Sequence, residues 1–201
     1  MNSSRLILIA HAATEAQRRS AFPLDEPIAE REIVKLSAAR WSLPQADRLW
    51  TAPEQRAQQT SSMLRLQSVV VQPLRDCDYG RWRGRSMDEI HAEEPAGMVS
   101  WLTDPGVAPH GGESIESLIE RVGTWMSEQC NAKCAMAVTH ATVIRAALVY
   151  ALRMPAQMFW RFDIAPLSMT DLRFSRSVWT LRCSGCALQA WRHFEEEEAA
   201  G

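Results

Sequence analysis

The sequence has few of the features that would place the protein in a membrane, outside the cell or on nucleic acid. No apolar run approaches the roughly 18 residues that a transmembrane helix needs, and the run after the first five residues is too short for a signal peptide. The net charge of −2 at pH 7 leaves no excess of positive charge to hold nucleic acid or anionic lipid. We therefore expect a soluble, cytoplasmic protein with neither nucleic-acid nor membrane partners.

The five cysteines do not form the even, paired pattern of a disulfide-bonded protein. Cys183 and Cys186 have the spacing of half a zinc site, but such a site needs about four ligands and the sequence has no second Cys-x-x-Cys pair. We interpret Cys183-Ser-Gly-Cys186 instead as a hairpin turn that joins a strand at 178–182 to a strand at 187–191. The sequence thus predicts no metal site.

Strand-like and helix-like patterns alternate along the first three quarters of the chain. Such alternation predicts a mostly parallel sheet covered by helices. Residues 68–72 contain three consecutive valines and indicate a buried strand, whereas Thr51 is expected to cap the helix that follows it. We expect one domain over residues 1–194, followed by a solvated acidic tail over residues 195–201.

Two apolar stretches end in a histidine. Residues 6–10 form an unbroken apolar run before His11, and residues 134–139 precede His140, which is followed by a helix-like segment. The carboxyl ends of parallel strands meet at one edge of a sheet, where open α/β proteins bind their ligands. The sequence therefore predicts two histidines side by side at a functional edge.

Four further stretches resemble the motifs of one family. Residues 51–60 (TAPEQRAQQT) are similar to the Ser-Pro-x-x-Arg-Ala-x-Gln-Thr motif of the histidine phosphatase (phosphoglycerate mutase-like) superfamily, and residues 74–84 (LRDCDYGRWRG) to its Leu-x-Glu-x-x-x-Gly-x-Trp-x-Gly segment. Residues 111–114 (GGES) and 140–145 (HATVIR) resemble its Gly-Gly-Glu-Ser and second-histidine motifs. These motifs follow the family's order over about residues 5–174. The chain is thus identified as a member of this superfamily, and it resembles the small bacterial branch that contains α-ribazole phosphatases.

The resemblance implies a three-layer α/β/α fold and a phosphomonoesterase that needs no metal or cofactor. It also implies that His11 attacks phosphorus to form a phosphohistidine, while Arg56 and His140 hold the phosphoryl oxygens. Asp76 occupies the position of the family's proton donor, and Asp78 is the alternative for that role. A carboxyl group that donates a proton must first hold it, so we expect a raised pKa at Asp76.

The first motif departs from the family pattern. The family has Arg-His-Gly-Glu-Thr where this chain has Ala-His-Ala-Ala-Thr at residues 10–14, so the arginine that usually contacts phosphate is missing. Thr14 and Gln17 remain as expected substrate contacts, together with Ala141, which replaces the glycine after the second histidine. Four arginines lie in segments from which they could take the missing one's place: Arg18, Arg19, Arg81 and Arg83.

These features favour hydrolysis of a small phosphorylated metabolite, with α-ribazole phosphate as the first substrate to test by family analogy. The alternative is a catalytically impaired member that binds a phosphorylated ligand or a protein partner, because one lost charge-assisted contact costs about 1.5–3 kcal/mol. A phosphoglycerate mutase is less favoured, since the chain is short and the missing arginine weakens retention of a bisphosphate. Dimers are common in relatives, so a homodimer is one expected state.

Overall fold

The computed structural model describes residues 4–39, 41, 43–130 and 132–188, which form a six-stranded sheet with helices packed around it. The strands are β1 (Ser4–Ala10), β2 (Arg48–Thr51), β3 (Val69–Val70), β4 (Cys134–Thr139), β5 (Ser168–Ser175) and β6 (Val178–Ala187). The α-helices are α1 (Glu15–Arg18), α2 (Glu30–Ala38), α3 (Gln55–Met63), α4 (Met87–Glu93), α5 (Pro95–Thr103), α6 (Ile115–Glu128) and α7 (Ala141–Ala151). Short 3-10 helices lie at Gln72–Leu74, Gly80–Trp82 and Ala156–Arg161.

The strand order in the sheet is β3-β2-β4-β1-β5-β6. Neighbouring strands are parallel from β3 to β1, and β5 and β6 continue the sheet in antiparallel fashion. The expected fold, a mostly parallel sheet with helices in an α/β/α arrangement, is confirmed. No helix in the described part of the chain is long and apolar enough to cross a membrane.

The central strands β1 and β4 bring the two histidines together. Their apolar side chains are buried, as expected for parallel strands that are covered on both faces. The register pairs Ala10 with Thr139, and the backbone N–H of His11 donates to the carbonyl oxygen of Thr139 at 2.9 Å. His11 and His140 therefore leave the sheet side by side, at the carboxyl ends of adjacent strands.

The start of α3 differs from the expected one. Thr51 does not cap this helix, because it is the last residue of β2 and pairs with Val70 and Val138 on the two neighbouring strands. The backbone of Thr51 is thus committed to the sheet, and the helix begins at Gln55 with Glu54 as its N-cap residue. This later start leaves Glu54 at the edge of the sheet where the histidines emerge.

The prediction of a buried strand in the valine-rich stretch is wrong. β3 has only two residues, and the side chains of Val69 and Val70 are 65% and 44% exposed. β3 is an edge strand that pairs with β2 at two positions. A β-branched side chain favours extended backbone whether or not it is buried, so three valines predicted the conformation but not the burial.

The hairpin turn predicted at residues 183–186 is also wrong. β6 runs through these residues without interruption and stays paired with β5. The register between the two strands shifts near Asp171, and Gly185 has a φ of +73°, which together mark a bulge rather than a turn. A bulge and a turn share the same glycine signal in a sequence. The end of the strand expected at 187–191 and the acidic tail lie outside the described residues.

Residues 73–112 form a long excursion that contributes to the wall of the site. Its loops are held close together at Gly80, where a Cβ atom would lie 2.2 Å from the carbonyl oxygen of His110 and where φ is +46°. Only glycine fits this approach. Aromatic rings with centroid distances of 5.1–6.4 Å pack beneath the excursion: Phe22, Tyr79, Trp82, Trp101 and His110.

Candidate active site

A cavity of about 250 Å³ opens at the carboxyl ends of β1 and β4. The rings of His11 and His140 line it side by side and pack edge-on, with centroids 5.1 Å apart and an angle of 66° between their planes. The structure brings every residue that the sequence predicts for the site to this one cavity: His11, Thr14, Gln17, Arg56, Asp76, His140 and Ala141. A cavity of this size accommodates a small molecule.

The imidazole of His11 is buried and oriented by the backbone. Its Nδ1 lies 2.7 Å from the carbonyl oxygen of Ala12, which can only accept, so Nδ1 carries the proton and Nε2 keeps its lone pair. Burial, together with the neighbouring His140 and Arg56, lowers the pKa of His11 from 6.5 to about 3. His11 is therefore a neutral imidazole at physiological pH, which is the nucleophilic form.

Contacts with α3 hold the loop that follows β1 in place. The backbone N–H of Ala12 donates to Oγ1 of Thr60 at 3.0 Å, and the same hydroxyl donates to the carbonyl oxygen of Arg56 at 2.7 Å. The loop after β1 is thus tied to the helix that carries Arg56.

Arg56 places a buried guanidinium group beside the histidines. Its Nη2 donates to the carboxylate of Asp76 at 2.6 Å, and its Nη1 donates to the carbonyl oxygen of Leu24 at 2.7 Å. Burial would lower the pKa of Arg56, but the carboxylates of Asp76 and Glu26 raise it overall. Arg56 therefore supplies a permanent positive charge with planar donors, which match the geometry of a phosphoryl group.

His140 is held by a carboxylate that the sequence did not indicate. Nε2 of His140 lies 2.7 Å from Oε2 of Glu54, and Oε1 of Glu54 accepts a hydrogen bond from the backbone N–H of Asp76 at 3.0 Å. Burial would raise the pKa of Glu54, but the hydrogen bond and charge of His140 lower it overall. The Nδ1 atom of His140 makes no hydrogen bond and lies 3.5 Å from the carboxylate of Asp76. Glu54 thus fixes the ring with Nδ1 free on its other side.

The carboxylate of Asp76 contacts several donors at once. Its Oδ1 accepts from Oγ1 of Thr142 at 2.5 Å and from the backbone N–H of Cys77 at 2.8 Å, and its Oδ2 accepts from Arg56. Burial alone would raise the pKa of Asp76, but the nearby His140 and Arg56 outweigh it and lower the pKa. The pKa of Asp76 in this structure is therefore lowered rather than raised, because His140 and Arg56 stabilise the ionised carboxylate.

Asp78, the alternative proton donor, lies in a different environment. Its side chain is 45% exposed and pairs with Arg83 at 2.9 Å, and its Oδ1 accepts from the backbone N–H of Gly80 at 2.9 Å. Asp78 does not line the cavity that holds the two histidines. The geometry therefore favours Asp76 over Asp78.

The remaining expected contacts come from the first turns of two helices. Thr14 is the N-cap residue of α1 and exchanges hydrogen bonds with Gln17 in a capping box. Ala141 is the first residue of α7, directly after His140. Backbone N–H groups at the start of a helix are free to bind an anion, so α7 adds a favourable partial charge at this edge.

None of the four arginines that could have replaced the missing one lines the cavity with His11. Arg18 pairs with Glu15 on the exposed face of α1, Arg81 pairs with Glu94, and Arg83 pairs with Asp78; the fourth, Arg19, is exposed. The arginine that does line the cavity, besides Arg56, is one that sequence reasoning missed as a site residue: Arg145.

Three residues of the site were thus not predicted, and they differ in how far the sequence pointed to them. Arg145 stands in the second-histidine motif, so the sequence contained a signal for it. Thr142 lies in the first helical turn after His140, where a hydroxyl is unremarkable. Glu54 gave no signal, because its contact with His140 joins residues that are 86 positions apart.

A second cavity of about 320 Å³ adjoins the first, and the two share Arg56, Asp76, Pro23 and Tyr79. It contains neither histidine, so the smaller cavity is the candidate active site. Among the described residues, no group of three or more histidine, cysteine or acidic side chains is arranged to hold a metal ion.

The chain is similar to several known phosphatases. Phosphoserine phosphatase 1 of Hydrogenobacter thermophilus is 26% identical over 188 residues, which cover 87% of this chain and 89% of that protein. A solved mycobacterial glucosyl-3-phosphoglycerate phosphatase superposes with a TM-score of 0.78 at 21% identity, covering 92% of this chain and 100% of the other. The α-ribazole phosphatase of Shigella flexneri superposes with a TM-score of 0.78 at 22% identity, covering 90% and 96%. These two structural likenesses show a shared fold.

The match to a family profile is more specific than these likenesses, because it identifies the family. The profile described as histidine phosphatase superfamily (branch 1) matches residues 6–186, which is most of the chain and includes every residue of the site described above. The protein belongs to branch 1 of the histidine phosphatase superfamily.

Proposed function

We propose that the protein is a metal-independent phosphomonoesterase that hydrolyses a small phosphorylated metabolite through a phosphohistidine on His11. One observation carries this proposal: a neutral histidine with a free Nε2 lines a small cavity together with Arg56, His140 and Asp76. A nucleophile, fixed positive charge and a carboxyl group are the three parts that transfer of a phosphoryl group requires.

In the first step, Nε2 of His11 attacks phosphorus. A P–N bond forms, the P–O bond to the leaving group breaks, and the leaving oxygen takes a proton from Asp76. Arg56 and the free Nδ1 side of His140 face the phosphoryl oxygens, where negative charge is spread in the transition state. In the second step, a water molecule gives a proton to Asp76 and attacks phosphorus, which releases inorganic phosphate and restores His11.

Asp76 must be protonated before the first step, although its pKa is lowered in the free protein. A bound phosphate ester brings negative charge next to this carboxylate and competes with it for the positive charge of Arg56. Both effects raise the pKa of Asp76. Substrate binding therefore creates the acid that the leaving group needs.

The alternative, a catalytically impaired member that binds a phosphorylated ligand, draws on a specific feature of β1. Ala10 stands where the family has arginine, and the guanidinium of Arg56 is already occupied by Asp76 and Leu24. The two functions differ in one observable, the covalent intermediate. A binding protein would hold the ester without transferring its phosphoryl group.

The experiment is an assay in the presence of EDTA with p-nitrophenyl phosphate and a panel of phosphoserine, glucosyl-3-phosphoglycerate and α-ribazole 5′-phosphate, the molecules named by the relatives. We expect turnover by the wild type and a loss on the order of 10⁴-fold or more in His11→Ala, because the covalent route is then closed. Substitution of the exposed His91, His91→Ala, is the matched control and leaves turnover unchanged.

The intermediate is checked by rapid quenching, which should trap a base-stable, acid-labile phosphate on His11. Binding of these esters without turnover, and without a phosphohistidine, would instead establish the binding function.

A further inference from the structure

Arg121 holds the chain segment that carries Asp76. The guanidinium group of Arg121, on α6, donates from Nη1 to the carbonyl oxygens of Pro73 at 2.7 Å and Arg75 at 3.1 Å. Its Nη2 donates to the carbonyl oxygen of Asp76 at 3.4 Å. A guanidinium group has five N–H donors in one plane, so a single side chain can bind three backbone carbonyl groups at once. The backbone around Asp76 is therefore bound to α6.

Glu113 binds the same guanidinium group and fixes its plane. Nε of Arg121 donates to Oε1 of Glu113 at 2.8 Å, and Nη2 donates to Oε2 at 2.7 Å. Both side chains are largely buried. Two parallel charge-assisted hydrogen bonds orient a guanidinium group, and the carboxylate compensates its positive charge. The pair thus sets the position of the Asp76 segment without adding a net charge beside it.

The loop that carries Glu113 also packs against this segment through its backbone. The backbone N–H of Glu113 donates to the carbonyl oxygen of Asp78 at 2.8 Å, and Sγ of Cys77 donates to the carbonyl oxygen of Glu113 at 3.5 Å. A Cβ atom at Gly112 would lie 2.0 Å from the carbonyl oxygen of Asp78, so only glycine permits this approach. The Gly-Gly-Glu-Ser motif at residues 111–114 therefore brings Glu113 against the segment that carries Asp76.

The backbone of Asp76 is bound at both its donor and its acceptor. Its N–H donates to Oε1 of Glu54 at 3.0 Å, and Oε2 of Glu54 holds His140. Its carbonyl oxygen accepts from Arg121, which does not line the cavity that contains the histidines. A proton donor must lie within hydrogen-bond reach of the atom that it protonates, and a misplacement of about 1 Å costs about 100-fold in rate. Arg121 thus fixes the position of Asp76 from outside the cavity.

We infer that Arg121, held by Glu113, is a positioning residue that keeps the proton donor Asp76 within reach of the leaving oxygen. The inference rests on the proposed phosphatase function and adds a requirement of its first step. Because Arg121 does not line the cavity, it acts only through Asp76. Its loss should therefore slow the reaction most for leaving groups that need a proton.

The test compares two aromatic esters whose leaving groups differ in their need for a proton, benzyl phosphate and p-nitrophenyl phosphate. An alkoxide must be protonated as it leaves, whereas the nitro group stabilises p-nitrophenolate without a proton. Arg121→Met should lower the ratio of kcat/KM for benzyl phosphate to kcat/KM for p-nitrophenyl phosphate by about 10- to 100-fold. Both kcat/KM values end at the release of the leaving group, so hydrolysis of the phosphohistidine does not enter the ratio.

Two further variants show whether Arg121 acts through Asp76. Asp76→Asn should lower the same ratio by about 10²- to 10⁴-fold, which is the contribution of a general acid. Asp76→Asn/Arg121→Met should lower it no further than Asp76→Asn, because the proton donor is already absent. A further fall of the ratio in the double variant would overturn the inference.

Glu113→Gln is a milder change, which keeps Arg121 and the size of the side chain at residue 113. It removes one charge from the pair and should lower the ratio by about 3- to 10-fold. This variant carries the test if thermal unfolding shows that Arg121→Met does not fold.

Arg5→Met is the matched control, because Arg5 and Asp171 form another largely buried ion pair, at 3.0 Å. Arg5 lies near the amino end of β1, at the opposite end of the strand from His11. Arg5→Met should lower the thermal stability and leave the ratio unchanged. An equal loss on both esters in Arg121→Met, as a merely structural role would give, would overturn the inference.

The same measurements separate this inference from the proposed function. A wild type that hydrolyses both esters, together with an unchanged ratio in folded Arg121→Met or in Glu113→Gln, would refute only the positioning role. A wild type that hydrolyses neither ester and forms no phosphohistidine would refute the phosphatase, and the positioning role with it.

Discussion

The carboxyl ends of β1 and β4 lie side by side, yet they hold their histidines in different ways. His11 makes one ring hydrogen bond, to the carbonyl oxygen of Ala12, and the neighbouring side chains at residues 10, 12 and 13 are methyl groups. His140 is bound to the carboxylate of Glu54 and lies 3.5 Å from Asp76. The ring of His11 is thus hydrogen-bonded to a backbone carbonyl, whereas the ring of His140 is held by a carboxylate.

The different surroundings of the two histidines suit two different requirements of phosphoryl transfer. A nucleophile needs a lone pair, and burial, together with the nearby His140 and Arg56, lowers the pKa of His11 and keeps its imidazole neutral. Stabilisation of phosphoryl oxygens needs fixed charge, and the charged side chains collect around β4 and α3. In the proposed mechanism the β1 end supplies the nucleophile, and the β4 end and α3 supply most of the charged groups.

Removal of the carboxylate that holds His140 should have the largest effect on this division. Glu54→Gln keeps the size of the side chain but replaces its charge, so the Nε2 side of His140 loses a charge-assisted hydrogen bond. We expect kcat/KM to fall by about 10- to 150-fold. Glu54 does not touch the reacting atoms; it is a positioning residue, and the fall should therefore be accompanied by an altered pH profile of kcat/KM.

Glu30→Gln is the control for Glu54→Gln, because Glu30 is exposed in the first turn of α2. Thermal unfolding of both variants checks that the fold is retained. A pH profile and a rate equal to those of the wild type would show that the contact with Glu54 contributes nothing to the role of His140.

The sequence alone was sufficient to predict the strands and the motif residues that form this site. The unbroken apolar runs before His11 and His140 predicted adjacent parallel strands, and the ordered motifs placed Arg56 and Asp76 in the same site. Contacts between residues that are far apart in the chain could not be predicted from the sequence. Glu54 meets His140 only because α3 begins later than its turn signals indicate.

The failed predictions have a common physical cause. A residue type indicates a local preference, whereas burial and pKa depend on what the fold brings close. Valines favour extended backbone, and β3 is extended, but its position at the sheet edge leaves it exposed. Asp76 has the position of a proton donor, but the nearby His140 and Arg56 lower its pKa.

We expect a smaller change in kcat/KM when a positive charge is restored at the end of β1. Ala10→Arg restores the residue that the family carries directly before the nucleophile, and one added charge-assisted contact to the phosphoryl group should raise kcat/KM by about 10-fold. The gain is measured with p-nitrophenyl phosphate. Ala10→Arg/His11→Ala serves as the control, because the gain should vanish without the nucleophile. An unchanged rate in the folded single variant would show that the β1 end is not short of positive charge.

The buried, neutral state of His11 should also affect the stability of the fold. The pKa of His11 is about 3 in the folded protein and 6.5 when exposed, so between these values the unfolded chain binds a proton that the native state does not. Stability must therefore fall as the pH falls through this window, by up to about 1.4 kcal/mol per pH unit from this residue.

His11→Gln removes that contribution while it keeps a polar side chain of similar length. Chemical denaturation of wild type and variant at intervals from about pH 7 to pH 4.5 should show a shallower acid-side loss in the variant. Asp76 and Glu54 have lowered pKa values and lose their stabilising effect at more acidic pH in both proteins, which is why the comparison stops at about pH 4.5. Equal slopes would mean that His11 takes up a proton in the native state, and the contrast between the two strand ends would then not extend to their charge.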